Sequence, residues 1–166
     1  MRTPDPSVAI RTTRPEDGAA LWTIVRESGV LDENSCYAYI LLCDQFRDTT
    51  LIAEIGGEPV GFTTAFRSPL RPDAVFLWQV GVNEAARGRG VAGRLLDRLV
   101  RLPAASDASY LETTISPSNT ASRRLFESFA RRHGADLEES PGYGEGFFPG
   151  GGHEAEHHFR IGPLKR

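Results

Sequence analysis

A chain of 166 residues is long enough for one domain with a proper hydrophobic core. Its formal net charge of −3 argues against nucleic acid as the main partner, and 40% hydrophobic and 25% charged residues are ordinary for a globular protein. No apolar run approaches the roughly 20 residues that a membrane span needs, and the first residues contain no apolar signal core. We therefore expect a flexible tail at residues 1–7, one domain at residues 8–166 and no membrane partner.

The two cysteines favour a reducing compartment. Cys36 and Cys43 are seven residues apart in a predicted helix. This spacing separates them by about 10 Å along the helix axis, which is too far for a disulfide. We expect both to be free core residues and the chain to be cytoplasmic.

The apolar pattern divides the chain into helices and strands. It predicts strands at 8–12, 50–55, 59–66, 75–82, 107–115, 135–139 and 157–162, of which those at 50–55 and 59–66 form a hairpin. It predicts four helices. The first begins at a capping box at 13–16 and ends at Gly29, and the others lie at 31–43, at 91–102 and from 119 to Gly134. Strands dominate both ends, and one strand–helix unit lies between them. This order predicts an α/β (α+β) fold with a mixed, mainly antiparallel sheet and helices on both faces.

The second predicted helix is apolar nearly all round, so we expect it to be buried or to form an interface. Asp32 or Asn34 can cap it. Its two tyrosines, Tyr37 and Tyr39, leave two alternatives open, because tyrosine rings fill cores as readily as they contact substrates.

A glycine-rich loop follows the apolar strand at 75–82. Residues 87–92 read Arg-Gly-Arg-Gly-Val-Ala and lead into a helix. Glycines let the backbone approach a ligand closely, and the unpaired N–H groups of a helix's first turn attract anions. The loop therefore predicts a phosphate or pyrophosphate site.

Two motifs overlap in this loop. The letters G-R-G-V-A-G at 88–93 match the dinucleotide fingerprint, and R-G-R-G-V-A at 87–92 match the acyl-CoA motif Q/R-x-x-G-x-G/A of the GNAT superfamily. A dinucleotide site needs its glycines straight after the strand, but residues 83–86 intervene. The hairpin before the strand also favours an antiparallel arrangement. We therefore favour acyl-CoA, and a connection without any ligand remains a further alternative.

Longer strings support a narrower resemblance. They are L-D-E-N-S-C-Y-A-Y at 31–39, F-L-W-Q-V-G-V at 76–82, L-E-T-T-I-S-P-S-N-T-A-S at 111–122 and H-E-A-E at 153–156. With the order of elements, they make residues 8–162 resemble the GNAT acyl-CoA N-acyltransferase fold and, within it, the diaminobutyrate acetyltransferases of ectoine synthesis. The resemblance implies acetyl-CoA as co-substrate, an amino-acid acceptor (L-2,4-diaminobutyrate, acetylated at its 4-amino group), a homodimer and no metal.

The resemblance also implies which residues form the site. For the co-substrate they are Val80, Val82, Arg87, Gly88, Arg89, Gly90, Val91, Ala92, Asn119 and Ser122. For the acceptor they are Asp32, Asn34, Ser35, Tyr37, Tyr39, Trp78, Thr113, His153 and Glu156. Catalytic roles fall to Trp78, Gln79, Val80, His153 and Glu156. The backbone at 79–82 is expected to hold the pantetheine arm and to face the thioester oxygen.

The acceptor chemistry leaves several alternatives open. A diamino acid needs a carboxylate near its α-ammonium and a group that deprotonates the reacting amine. The available acids are Asp32, Glu33, Glu112, Glu154 and Glu156. The resemblance favours Asp32 and Glu156, which fit the family strings best as groups that face an amine, although Asp32 could be only a helix cap. A metal site built from His153, Glu156, His157 and His158 is a minor alternative.

Two further points concern function. Many GNAT enzymes carry a tyrosine that protonates the departing thiolate, but this chain has Phe126 there, so the proton donor is unassigned. A GNAT domain could also act on another small amine or on a protein N-terminus, or could bind acyl-CoA only as a sensor.

Overall fold

The computed structural model describes residues 7–165, so the predicted tail, apart from Ser7, lies outside the described residues. The strands are β1 Val8–Thr12, β2 Leu51–Ile55, β3 Glu58–Arg67, β4 Ala74–Val82, β5 Tyr110–Ile115, β6 Asp136–Tyr143 and β7 Glu156–Gly162. The helices are α1 Gly18–Ser28, α2 Cys36–Gln45, α3 Val91–Leu99 and α4 Thr120–His133, with short 3-10 turns at Pro15–Asp17, Glu84–Ala86 and Glu145–Phe147.

The strands form one sheet in the order β1-β2-β3-β4-β5-β7-β6. Within the described residues, β4 and β5 are the one parallel pair, and the other neighbours are antiparallel. The connection from β4 to β5 runs through α3, as a parallel pair requires. The predicted α/β fold with a mixed, mainly antiparallel sheet is confirmed.

Helices cover both faces of this sheet. On one face, α1 and α2 pack over β2 and β3 in a cluster that includes Leu21, Tyr39, Cys43, Ile52 and Phe62. On the other face, α3 and α4 cover a larger cluster that includes side chains of β4, β5 and β7. We call these the α1–α2 face and the α3–α4 face.

Glycines end two helices as predicted, because only they adopt the left-handed conformation freely: Gly29 after α1 has φ 65° and Gly134 after α4 has φ 57°. The predicted capping box at 13–16 is wrong. The Asp17 carboxylate accepts the Arg14 N–H at 2.7 Å instead, while the Thr13 hydroxyl donates to the Cys43 carbonyl at 3.2 Å.

The start of α2 also differs from the sequence expectation. The helix begins at Cys36, and the Ser35 hydroxyl oxygen accepts the Ala38 N–H at 3.2 Å. Neither Asp32 nor Asn34 is therefore its cap. The segment before Ser35 is an irregular loop, so the Asp32 carboxylate is left for other contacts.

Both cysteines are free thiols, and burial raises the pKa of the Cys43 thiol to about 11. None of the helices described here is long and apolar enough to cross a membrane.

Candidate functional site

A fork between β4 and β5 opens the middle of the sheet. The two strands pair from Ala74–Tyr110 to Leu77–Thr113 and then separate. The Thr113 hydroxyl donates to the Leu77 carbonyl at 2.9 Å and closes the ladder. Across the described residues, no strand pairs with this side of β4 beyond Leu77, so the backbone groups that face the gap are available to a ligand.

Trp78 is an extra residue in β4 at the mouth of this fork. Gln79 pairs with Thr64 and Leu77 pairs with Ala65, so Trp78 has no partner in the register and forms a β-bulge. Its side chain is 40% exposed, which is unusual for tryptophan in the middle of a sheet. The bulge therefore presents a large aromatic side chain where the strands separate.

The bulge also reverses the alternation of side chains along β4. Leu77 belongs to the cluster on the α3–α4 face, and Val80, three positions later, packs against the same cluster. Gln79 and Gly81 consequently face α1 and α2. A Cβ at Gly81 would lie 2.7 Å from the Phe62 ring, so glycine is needed for this close approach.

Both the backbone N–H and the side-chain amide of Gln79 have hydrogen-bond partners within the fold. Its N–H donates to the Thr64 hydroxyl oxygen at 3.1 Å. Its Oε1 accepts the Tyr39 hydroxyl at 3.0 Å, and its Nε2 donates to the Asp32 carbonyl at 3.1 Å. Because the Gln79 N–H already has Thr64 as its partner in the sheet, Val80 and the residues after it are better placed for the predicted contact with a thioester oxygen, and that role stays a prediction.

The two tyrosines of α2 have different positions. Tyr39 is fully buried, so of the two alternatives it is a core residue, although its hydroxyl reaches Gln79. Tyr37 is 65% exposed. The Asn34 side chain donates to the Asp32 carbonyl at 3.3 Å, and the Ser35 hydroxyl caps α2. Both residues therefore have partners within the fold, whether or not they also contact a substrate.

The glycine loop presents an open helix N-terminus. Gly88 and Gly90 have φ 77° and 72°, and a Cβ at either would have nothing within 4 Å, so the space above the loop is free. Gly90 is the N-cap of α3, and no side chain caps this end. Its first-turn N–H groups can therefore bind an anion.

The other loop residues divide by burial. Arg87 is exposed, and Arg89 and Ala92 are half-buried. Val91 is 2% exposed and packs in the core, so only its backbone can contact a ligand. A cavity of about 620 Å³ adjoins the loop, lined by residues from the end of α1 and from the β4–α3 connection, among them Ile24, Glu27, Ser28, Val82, Asn83 and Arg87.

The other two residues predicted for the co-substrate, Asn119 and Ser122, form the start of α4. The Asn119 Oδ1 accepts the Ser122 N–H at 3.1 Å. This side-chain cap is an additional role that their N-x-x-S spacing explains.

His153 is the centre of a second group of predicted site residues. Its Nε2 lies 3.4 Å from Asp32 Oδ2 and 4.0 Å from Glu156 Oε1. Its Nδ1 is 2.6 Å from the Glu154 carbonyl, and its ring stacks on Phe148 with centroids 3.9 Å apart. The pKa of His153 is raised above its usual value, mainly by the hydrogen bond to the Glu154 carbonyl. The negative charges of Asp32 and Glu156 raise it further.

Sequence reasoning does not point to Phe148, whose ring stacks on this imidazole, because it lies in a glycine-rich loop without periodicity. Sequence reasoning considers Glu154 only as an acid for the acceptor, but its carboxylate accepts the Ser118 N–H at 3.2 Å and so links the loop before β7 to the turn before α4.

Glu112, one of the acids considered, has a different environment. It is fully buried, with Arg71 Nε 2.7 Å from its carboxylate, His158 Nε2 3.3 Å away and Arg160 in direct contact. Burial alone would raise the pKa of Glu112, but the hydrogen bonds from Arg71 and Arg160 hold it below the usual range. Asp73 also pairs with Arg160, at 2.6 Å. Glu112 is thus the buried centre of an ionic network whose other members, Arg71, Arg160 and Asp73, are partly exposed.

The minor metal alternative has no support among residues 7–165, where no group of three or more candidate ligands could hold an ion. His157 lies 2.9 Å from Glu139, while His158 lies beside Glu112. Phe126 is 1% exposed in the core of the α3–α4 face, so it is a packing residue.

Comparisons with known proteins agree with this geometry. The family model described as "Acetyltransferase (GNAT) family" matches residues 19–130. An L-2,4-diaminobutyric acid acetyltransferase of Streptomyces avermitilis is 50% identical over 159 residues, covering 93% of this chain and 89% of the relative. The protein of the same name from Shouchella clausii is 46% identical over 155 residues, covering 92% and 86%.

Solved structures give the same result. The diaminobutyrate acetyltransferase EctA from Paenibacillus lautus, in complex with its substrate L-2,4-diaminobutyric acid and coenzyme A, matches with a TM-score of 0.92 and 43% identity over 97% of this chain and 98% of that one. Ard1 from Thermoplasma volcanium matches with a TM-score of 0.74 at 15% identity, covering 96% of this chain and 99% of its own, which supports the fold alone.

Proposed function

The chain belongs to the GNAT acetyltransferase family, and on that basis we propose that it transfers acetyl from acetyl-CoA to the 4-amino group of L-2,4-diaminobutyrate. The product is N4-acetyl-L-2,4-diaminobutyrate, an intermediate of ectoine synthesis in the osmotic stress response. The observation that carries the proposal is that Gln79 joins the two halves of the site. It lies in the strand at the fork and hydrogen-bonds the loop that carries Asp32.

The glycine loop and the fork form the half of the proposed site that would bind acetyl-CoA. The open N-terminus of α3, with Arg87 and Arg89 nearby, would bind the pyrophosphate. The unpaired side of β4 would hold the pantetheine arm by backbone hydrogen bonds, as a further strand would. An N–H at Val80 or beyond would face the thioester oxygen, where such a donor contributes about 3 kcal/mol in comparable acyl-transfer sites.

The acceptor half must bind a zwitterion and release one amine in neutral form. The reacting amine has a pKa near that of lysine, about 10, so it needs a proton acceptor. We assign Asp32 to the α-ammonium and Glu156 to the proton of the reacting amine. His153, whose pKa is raised, lies between them and would hold the α-carboxylate or pass the proton on.

The thiolate acquires its proton without a phenol at position 126. Phe126 is buried in the core on the α3–α4 face and carries no acid. We propose that the proton released by the attacking amine reaches the sulfur through the acceptor pocket, by water or by Glu156.

We also propose that the chain forms a homodimer. The outer side of α2 leaves three apolar side chains partly uncovered, Tyr37 at 65%, Ile40 at 36% and Leu41 at 39%, and Phe46 after the helix at 44% extends this surface. A helix that is apolar on its solvent side is typical of an interface. The free cysteines support a reducing compartment, and we propose that the chain acts in the cytoplasm.

The acceptor is tested by a series of diamino acids. Thiol release from acetyl-CoA would be measured with diaminopropionate, diaminobutyrate, ornithine and lysine, and the acetyl position would be determined by NMR. A misplacement near 1 Å costs about a hundredfold in rate, so we expect each neighbouring homologue to lose at least about tenfold in kcat/KM. Comparable rates across the series, or acetylation of the α-amine, would refute this acceptor.

A further inference from the structure

Two hydrogen bonds meet at the Asp32 carbonyl, and a third, from Tyr39 to Gln79, connects them to α2. Gln79 Nε2 from β4 donates to this oxygen at 3.1 Å, and Asn34 Nδ2 from the same loop donates at 3.3 Å. The Tyr39 hydroxyl from α2 lies 3.5 Å away and donates to Gln79 Oε1 at 3.0 Å. The backbone of Asp32 is thereby tied to the strand at the fork.

The inner part of this connection is rigid. Tyr39 is fully buried, and its ring meets Phe62 edge to face with centroids 6.5 Å apart. Gln79 is 5% exposed, and its own N–H is held by the Thr64 hydroxyl. Buried amides and hydroxyls with every partner in place have few alternative positions, because each move would leave a polar group unsatisfied.

The outer part is open by comparison. The Asp32 side chain is 76% exposed, and its carboxylate Oδ2 lies 3.4 Å from His153 Nε2. An exposed loop of this kind would move readily without its anchor to the strand. The position of the carboxylate relative to β4 therefore depends on the Gln79 amide.

We propose that Gln79, oriented by Tyr39, is a positioning residue that sets which length of diamino acid is accepted. The inference rests on the proposed function. If Asp32 holds the α-ammonium and β4 holds the thioester, the Gln79 amide fixes the distance between the two ends of the acceptor. A glutamine is suited to this position because its side chain accepts from Tyr39 with one atom and donates to the Asp32 carbonyl with the other.

The test uses two variants and a matched control. Gln79→Leu removes both side-chain hydrogen bonds, and Tyr39→Phe removes the phenol that orients the amide but keeps the ring in the core. Thr49→Val is the control, because it also removes a buried hydroxyl, one that donates to the Ala65 carbonyl at 2.6 Å, without contact to the Asp32 loop.

The readout is the ratio of kcat/KM for diaminobutyrate to kcat/KM for ornithine, which is one methylene longer. Both substrates report on the same folded molecules, so this ratio does not change when a variant only loses stability or active fraction. We expect it to fall at least about fivefold in Gln79→Leu and Tyr39→Phe, as a displacement of a fraction of an ångström would cause. We expect Thr49→Val to keep the wild-type ratio, and the Kd for coenzyme A to stay within about twofold in all three variants.

The possible outcomes distinguish failure of the proposed function from failure of the proposed role of Gln79. If wild-type enzyme does not prefer diaminobutyrate, the proposed function fails and this inference fails with it. If wild type prefers diaminobutyrate and both variants keep the ratio, the inference alone is overturned and Gln79 is only a core residue. An equal fall of the kcat/KM ratio in Thr49→Val would also overturn the inference, because the loss of any buried hydroxyl would then be enough to change the preference between the two substrates. Tyr39→Phe decides the matter if Gln79→Leu does not fold.

Discussion

His153 and Asp32 are 121 residues apart in the chain, yet the imidazole Nε2 and the carboxylate Oδ2 are 3.4 Å from each other. One comes from the loop before α2 and the other from the loop before β7. Their contact links two loops that are far apart in the sequence. The protonation of His153 therefore reports on whether these two loops meet.

The first prediction concerns this pair. Asp32→Asn should lower the pKa of His153, because the carboxylate stabilises the protonated ring. The pKa should stay above that of an ordinary histidine, since the Glu154 carbonyl, the larger cause, still accepts the Nδ1 proton. An NMR titration of the His153 ring would measure both effects.

Glu156→Gln is the control for the first prediction. Its carboxylate is farther from the ring, at 4.0 Å, and should have the smaller effect. An unchanged His153 pKa in Asp32→Asn would mean that the two residues do not meet in solution.

The second prediction separates stability from co-substrate binding. The first turn of α3 has no acidic residue, so Ala92→Glu should stabilise the free protein by about 0.5 kcal/mol through the helix dipole. The same charge should repel the pyrophosphate and raise the Kd for coenzyme A at least about tenfold, a cost of about 1.4 kcal/mol. Thermal unfolding and calorimetry would measure the two effects.

Ala92→Gln is the matched control here, because it has the same size without the charge. It should bind coenzyme A more tightly than Ala92→Glu and should lack the gain in stability. Equal Kd values for the two variants would show that the anion lies elsewhere.

The third prediction concerns Glu112. Glu112→Gln should lower the free energy of unfolding by about 2 kcal/mol near pH 7, because it weakens the charged hydrogen bonds from Arg71 and Arg160, although Arg160 keeps Asp73 as a partner. The pKa of Glu112 is lowered in the folded state. Its stabilising effect is therefore full above the unfolded pKa of about 4.3 and is lost as the pH falls through the folded value.

The difference between wild type and Glu112→Gln should accordingly be at its full size at about pH 8 and narrow below about pH 4. Denaturant unfolding across this range would measure it. The acids Asp17 and Asp97 also have lowered pKa values, but both proteins contain them, so they cancel in the comparison. A difference that does not depend on pH would contradict the ionic role of Glu112.

Local patterns predicted much of the fold. The hairpin glycines, the glycines that end α1 and α4, and the strand before the loop at 87–92 all depend on neighbouring residues. The cap of α2 was missed because Asp32, Asn34 and Ser35 are all good caps, and sequence cannot rank them. Ser35 caps the helix and Asp32 turns toward His153, a residue far away in the chain.

The role of Gln79 could not be predicted for a different reason. Strict alternation along β4 places residues 75, 77 and 79 on one face. The bulge at Trp78 breaks this alternation, and no turn residue marks it in the sequence. Only the pairing with β3 shows that Gln79 faces Tyr39, so its side chain bonds to the loop that carries Asp32 while its N–H belongs to the sheet.

The fork between β4 and β5 has a consequence for self-association. A strand edge with free N–H and C=O groups normally recruits strands from other chains and promotes aggregation. Here the free stretch of β4, at residues 78–82, lies in the interior of the sheet, with β3 on one side and β5 diverging on the other. The free groups of β4 therefore face a gap between two strands of the same sheet and not its outer edges, where β1 and β6 lie. The fork thus leaves backbone hydrogen-bonding groups for a ligand without adding a further edge at which strands of other chains could pair.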